Sequence, residues 1–256
     1  MQIKRGAMWA GAQALRFLFP PTCPSCQAMV AAPGTLCAEC WPHLRFFEKP
    51  WCAVLGTPFE FDMGEGAISP AAIANPPDFD RARSAVYYSG PARDMIRGLK
   101  YHDRTDLAPW LANWMLRPGE ELLIDADHVV PVPLHWHRFV SRRFNQSAEL
   151  ARHVSRLSKV PLTTGLLARR KSTSPQVGLT AQQRKDNVSG AFQVKGKGKA
   201  LVAGKKILLI DDVFTTGATV SACARVLKRH GAARVDVLTF ARVMGDDFAA
   251  QETDAI

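Results

Sequence analysis

Two groups of residues in the 256-residue chain have the types and spacing to do chemistry. The first is the run Ile207-Leu208-Leu209-Ile210-Asp211-Asp212-Val213-Phe214-Thr215-Thr216-Gly217-Ala218-Thr219. Its apolar start reads as a strand covered on both faces, delivering Asp211 and Asp212 to the carboxyl end, where open α/β sheets place their ligands. The turn through Thr215, Thr216, Gly217, Ala218 and Thr219 then opens a helix. Free backbone N–H groups and the positive end of the helix dipole suit a phosphate dianion there. Gly217 permits close approach of the backbone, and the threonine hydroxyls add donors. Two carboxylates beside such a cradle can accept hydrogen bonds from vicinal sugar hydroxyls and stabilise positive charge developing on a ribose ring. Other nucleotide motifs fit worse: there is no GxGxxG, Gly204-Lys205 is followed by Lys206 rather than Ser or Thr, and the acids are adjacent rather than spaced as Asp-x-Asp. The plain alternative is a capped strand–helix junction with no ligand, which leaves the acid pair and the TTGAT turn unexplained.

The second group is cysteine. Cys23-Pro-Ser-Cys26 and Cys37-Ala-Glu-Cys40 are two CxxC pairs separated by ten residues. Each can grip a metal with two thiolates, and together they complete a tetrahedral zinc shell with no open position, so the role is structural. A disulfide framework is the competing reading and needs an oxidising compartment. Cys223 falls in the apolar pattern of a helix and reads as core. Cys52 has no neighbour at ligand spacing and is unassigned.

These groups need elements to hold them. Residues 20–60, rich in Pro, Cys and aromatics, read as a small metal-stapled module, and residues 61–80, with Gly64, Gly66, Pro70, Pro76 and Pro77, as a linker. Residues 81–245 alternate strands and helices. Strands are expected at 85–88, 129–132, 207–210 and 235–240, and helices around Leu107, Trp110, Leu111, Trp114 and Met115, around Leu150, Ala151, Val154 and Leu157, and over 218–228. The tryptophans read as core, and Gly231 as a helix stop. The fold class is α/β, a parallel sheet with helices on both faces, preceded by a zinc-ribbon-like module. Residues 1–19 suit a docking helix through Trp9, Leu15, Leu18 and Phe19. Gln13 and Arg16 interrupt the apolar run that a signal peptide would need. No stretch approaches the length of a membrane span; the expected location is the cytoplasm. Residues 246–256 read as a tail.

The formal charge is +10, with 47% hydrophobic and 22% charged residues, as in an ordinary globular protein. The excess is local. Arg138, Arg142, Arg143, Arg152, Arg156 and Lys159 face the single acid Glu149, and ten basic residues between Arg169 and Lys206 face Asp186 alone. That field suits a polyanion, whether a phosphorylated metabolite or nucleic acid; a solvated basic face is the bland reading.

Residues 207–219 resemble the phosphoribosyl-pyrophosphate (PRPP) signature of type I phosphoribosyltransferases, and about residues 18–245 resemble the ComF/GntX family. The likeness also rests on Val130-Pro131-Val132-Pro133-Leu134, Arg143-Phe144-Asn145-Gln146, Gln176-Val177-Gly178-Leu179 with Arg184 and Asn187, and Leu99-Lys100-Tyr101. It implies that Asp211 and Asp212 hold ribose hydroxyls and that residues 215–219 hold the 5′-phosphate. Pro133, Leu134 and His135 would form the pyrophosphate loop and residues 170–190 a closing loop, with magnesium bridging pyrophosphate and ribose oxygens. Arg138 and Arg143 could steady departing pyrophosphate; Lys100 could do so or be a surface lysine. The acceptor base would lie near Ala241-Arg242-Val243. Where the family pattern has a further CxxCGxP, this chain has Cys52-Ala53-Val54-Leu55-Gly56-Thr57-Pro58, so one zinc is expected. The family name also raises a second reading, a competence or DNA-uptake protein that binds single-stranded DNA or partner proteins; against it, Arg169–Lys206 holds only Phe192 as an aromatic.

Overall fold

The computed structural model describes residues 20–101, 103–134, 144–170, 183 and 190–245. The expected N-terminal helix at 1–19, the tail at 246–256, His135, Arg138, Arg143 and most of the 170–190 loop lie outside the described residues.

Four parallel strands form the main sheet: β1 (Arg81–Tyr87), β2 (His128–Pro131), β5 (Lys206–Phe214) and β6 (Arg234–Arg242), in the order β1-β6-β5-β2. A separate antiparallel hairpin pairs β3 (Leu167–Arg169) with β4 (Phe192–Val194). Among the described residues five α-helices accompany them: α1 (Pro70–Ala74), α2 (Gly90–Tyr101), α3 (Ala108–Leu123), α4 (Gln146–Ser158) and α5 (Ala218–Arg229).

Alternation along β5 explains the layers. Leu208 and Ile210 point into one core with Met95, Ile96 and Leu99 of α2, Leu111 and Met115 of α3, and Leu150 and Val154 of α4. Ile207 and Leu209 point to the other face, against Val220, Cys223 and Leu227 of α5 and Phe192 of the hairpin. Helices therefore cover both faces. All four β5 side chains are at most 1% exposed, and each such aliphatic group stabilises the fold by about 1.5–3 kcal/mol on burial. Cys223 is fully buried, where desolvation holds its thiol protonated.

Several strands are longer than the apolar pattern indicates. β1 begins at Arg81 because its charges are paired: Arg81 with Asp236 at 2.7 Å and Arg83 with Glu121 at 2.5 Å. β5 continues through both acids to Phe214, carried by pairing of Asp211 with Thr239 and Val213 with Ala241. α2, with glycines at 90 and 98, is not legible from periodicity. Trp114 packs against the core, whereas Trp110 is 39% exposed and lies against Gly34.

The cysteine-containing module extends the sheet at its β1 edge. Phe47 N–H donates to Ala85 O and Tyr87 N–H to Arg45 O, forming an antiparallel bridge between Phe46 and Val86. Ser25 Oγ donates to Asp94 of α2 at 2.9 Å. Within the stretch read as linker, Ser69 caps α1, and Phe79 is buried against Phe214.

Candidate functional site

The carboxyl end of β5 lies between β6 and β2, and the acids sit there in unlike surroundings. Asp211 Oδ1 accepts from Ser147 Oγ at 2.8 Å and from the Asp212 N–H at 2.9 Å. Asp212 Oδ1 accepts from the Val213 N–H at 2.8 Å, and its Oδ2 lies 2.8 Å from Lys100 Nζ. Burial, then the neighbouring Asp212 charge, raise Asp211 to about 7; Ser147 and Lys100 act in the opposite sense. The pair thus has one carboxyl matched to a cation and one poised near neutrality.

Ser147 is placed by its helix. Asn145 caps α4 by accepting from the Ser147 N–H at 3.1 Å, while its Nδ2 donates to Val132 O at 3.0 Å. A single asparagine therefore fixes the end of β2 to the start of α4 and sets Ser147 beneath Asp211. Pro133 and Leu134 follow directly, half-buried, at the end of β2.

The turn after β5 is shaped by Phe214 and Gly217. Gly217 is the α5 N-cap, with φ 77°; a Cβ there would lie 2.6 Å from Phe214 Cζ. No side chain caps the helix at Gly217, and the Ala218 N–H reaches Thr216 Oγ1 at 3.4 Å. The first-turn amides and the helix dipole are therefore suited to an anion.

Cations flank the acids. Lys100 is in the last turn of α2, one face of which also carries Arg93 and Arg97 at helical spacing. Tyr88 is held protonated above its ordinary range by burial, and the charges of Lys100, Asp212, Arg93 and Arg97 all act on it. The structure brings Asp211, Asp212 and Lys100 together, with the 215–219 turn following in the chain. Ser147 and Tyr88 are members that sequence reasoning missed. Only the adjacent Asn145-Gln146 patch hinted at Ser147.

In the N-terminal module the Sγ atoms of Cys23, Cys26, Cys37 and Cys40 all lie within 4.8 Å of one another. A tetrahedral zinc with Zn–S near 2.3 Å needs sulfurs about 3.8 Å apart, so the donor set fits a closed structural site. All six cysteines are free. Among the described residues, this is the one cluster of three or more His, Cys, Asp or Glu groups suited to a metal.

Fold and site together define a phosphoribosyltransferase-type α/β domain behind a zinc ribbon. Residues 14–72 match the double zinc ribbon domain and residues 145–254 the phosphoribosyl transferase domain. Over 180 residues the chain is 32% identical to DNA utilization protein YhgH of Escherichia coli (strain K12), covering 67% of this chain and 76% of that protein. Over 220 residues it is 25% identical to Competence protein F of Haemophilus influenzae, covering 82% and 92%. Among solved structures, orotate phosphoribosyltransferase from Aeropyrum pernix aligns with a TM-score of 0.33 at 18% identity, over 66% of this chain and 84% of that one. The chain belongs to the ComF family. No helix among the described residues is long and apolar enough to cross a membrane.

Proposed function

We propose that residues 211–219 bind the 5-phosphoribosyl group of PRPP or of a phosphoribosyl nucleotide, and that the site transfers this group to a nitrogen acceptor. The observation that carries the reading is the acid pair at the end of β5 followed at once by a helix start without a side-chain cap. Amides of residues 215–219 take the 5′-phosphate, with the hydroxyls of Thr215, Thr216 and Thr219 as further donors. Asp211 and Asp212 accept from the ribose hydroxyls. When these hydroxyls reach Asp212, Lys100 is released toward the pyrophosphate, which Pro133, Leu134, His135, Arg138 and Arg143 also serve.

Displacement at the anomeric carbon passes through an oxocarbenium-like state. Positioning and electrostatics, rather than a protein nucleophile, lower the barrier. The carboxyl groups of Asp211 and Asp212 lie where that charge develops. Magnesium, when bound, would neutralise the leaving pyrophosphate; it enters with the ligand and needs no protein cage. The free cysteines suit a reducing cytoplasm, with one structural zinc on Cys23, Cys26, Cys37 and Cys40.

Calorimetry with PRPP, ribose 5-phosphate and nucleoside monophosphates, with and without magnesium, tests the proposal. Magnesium-dependent PRPP binding, abolished by Asp211→Asn with Asp212→Asn, is expected; identical titrations for both proteins would contradict it.

A second reading draws on the names of the relatives and the +10 charge: binding of single-stranded DNA or partner proteins during DNA uptake. Tight, steeply salt-dependent DNA binding that PRPP leaves unchanged would favour it.

A further inference from the structure

The N-terminal module contains the same turn twice. Cys23 N–H donates to Ala28 O at 2.7 Å, Gln27 N–H to Cys23 O at 3.0 Å and Val30 N–H to Pro21 O at 2.9 Å. Cys52 N–H donates to Thr57 O at 2.8 Å, Gly56 N–H to Cys52 O at 2.8 Å and Phe59 N–H to Pro50 O at 2.9 Å. Each is closed by an antiparallel bridge, Thr22 with Met29 and Trp51 with Pro58. Gln27 and Gly56 share φ 65°. Every partner is displaced by the same step, from Cys23 to Cys52. That step carries Cys26, Cys37 and Cys40 onto Leu55, Gly66 and Ser69.

The second turn therefore keeps the backbone of a metal knuckle without its ligands. Its one sulfur, on fully buried Cys52, accepts from the Ser69 N–H at 3.2 Å and the Leu55 N–H at 3.4 Å. Leu and Gly offer no donor side chain, so no zinc shell can close there.

What fastens this turn is the sheet. Both Nη atoms of Arg83 donate to Ala53 O at 3.1 Å, the Ala82 N–H donates to Val54 O at 2.7 Å, and Arg242 Nη1 donates to Leu55 O. Three successive carbonyls are thus held from β1 and β6. Arg83 and Arg242 are 3% and 7% exposed.

Arg242 also reaches the candidate site. It is the register partner of Phe214, and its guanidinium lies 4.1 Å from the centroid of that ring. The Phe214 ring is the surface against which Gly217 packs.

We propose that the second knuckle works without a metal, as a clamp that holds Arg242 on Phe214, and that Arg242 is thereby a positioning residue for the 215–219 turn. The functional consequence rests on the reading of that turn as a phosphate cradle; the mechanical claim does not.

The test combines zinc content with hydrogen exchange of the full-length protein in buffer without phosphate. One zinc per chain is expected for the wild type, Arg242→Met, Arg242→Lys and Cys52→Ala. Amide exchange over residues 214–219 should accelerate tenfold or more in Arg242→Met and in Cys52→Ala, with residues 207–210 unchanged. Arg242→Lys, which keeps a cation over the ring but loses the planar fork, should fall between. Should Arg242→Met fail to fold, Arg242→Lys and Cys52→Ala carry the comparison. Two zinc ions per wild-type chain, or unaltered exchange over 214–219 in the folded variants, overturns the proposal. A wild type that gives the expected exchange pattern but does not bind PRPP would refute the phosphoribosyl reading and leave the clamp standing.

Discussion

Replacing Asp211 by Asn should stabilise the protein, and increasingly so as pH rises. Asp211 is raised from an ordinary 3.8 to about 7, chiefly by burial and then by Asp212. Between those values the native state binds more protons than the unfolded chain. Its contribution to stability therefore falls as pH rises through that window and levels off above about 7. At about 1.4 kcal/mol per pH unit the full penalty is about 4 kcal/mol, of which roughly 2–3 kcal/mol develops between pH 5 and 8.5. Partial solvent access at the site trims the expected difference to about 2 kcal/mol. Urea denaturation of the zinc-loaded wild type and Asp211→Asn across that range isolates the effect, because zinc release and other titrations are common to both. A stability gap that stays constant with pH, or one that shrinks toward alkaline pH, refutes the assignment of a buried, proton-holding carboxyl at 211.

Ser147→Ala removes a donor that favours ionised Asp211, so carbon-detected NMR titration should show the Asp211 midpoint moving upward; an unmoved midpoint removes Ser147 from the site. Gly217→Ala must fit a Cβ 2.6 Å from Phe214 at φ 77° and should cost about 1–3 kcal/mol in denaturant melts. Lys100→Met leaves Asp212 without its 2.8 Å partner and should cost about 1–3 kcal/mol, measured the same way. Cys40→Ser should abolish zinc binding in metal analysis and lower Tm by roughly 10 °C.

What the sequence reveals most clearly is what is local. The run from Ile207 to Thr219 contains its own strand, acids, turn and helix start within thirteen residues, and the paired CxxC motifs lie at ligand spacing. Both are therefore readable without knowing the rest of the chain. Contacts made over long sequence distances are not. Ser147 meets Asp211 across 64 positions, and Lys100 meets Asp212 only because α2 folds over the end of the sheet. Arg81 and Arg83 look like surface residues until Asp236 and Glu121 arrive from elsewhere to pair with them. The hairpin of β3 and β4 escapes notice because strands of three residues carry too little alternation to register. The repeated knuckle is hidden because the hydrogen-bond pattern is conserved between its halves while three of its four ligand positions have changed.

The most direct measurement is a crystal structure of the full chain with ribose 5-phosphate. The expected result is a phosphate seated on the amides of residues 215–219, with the ribose hydroxyls within hydrogen-bond distance of Asp211 and Asp212. A ligand bound elsewhere, with Asp212 still paired to Lys100 and the turn empty at saturating concentration, would contradict it.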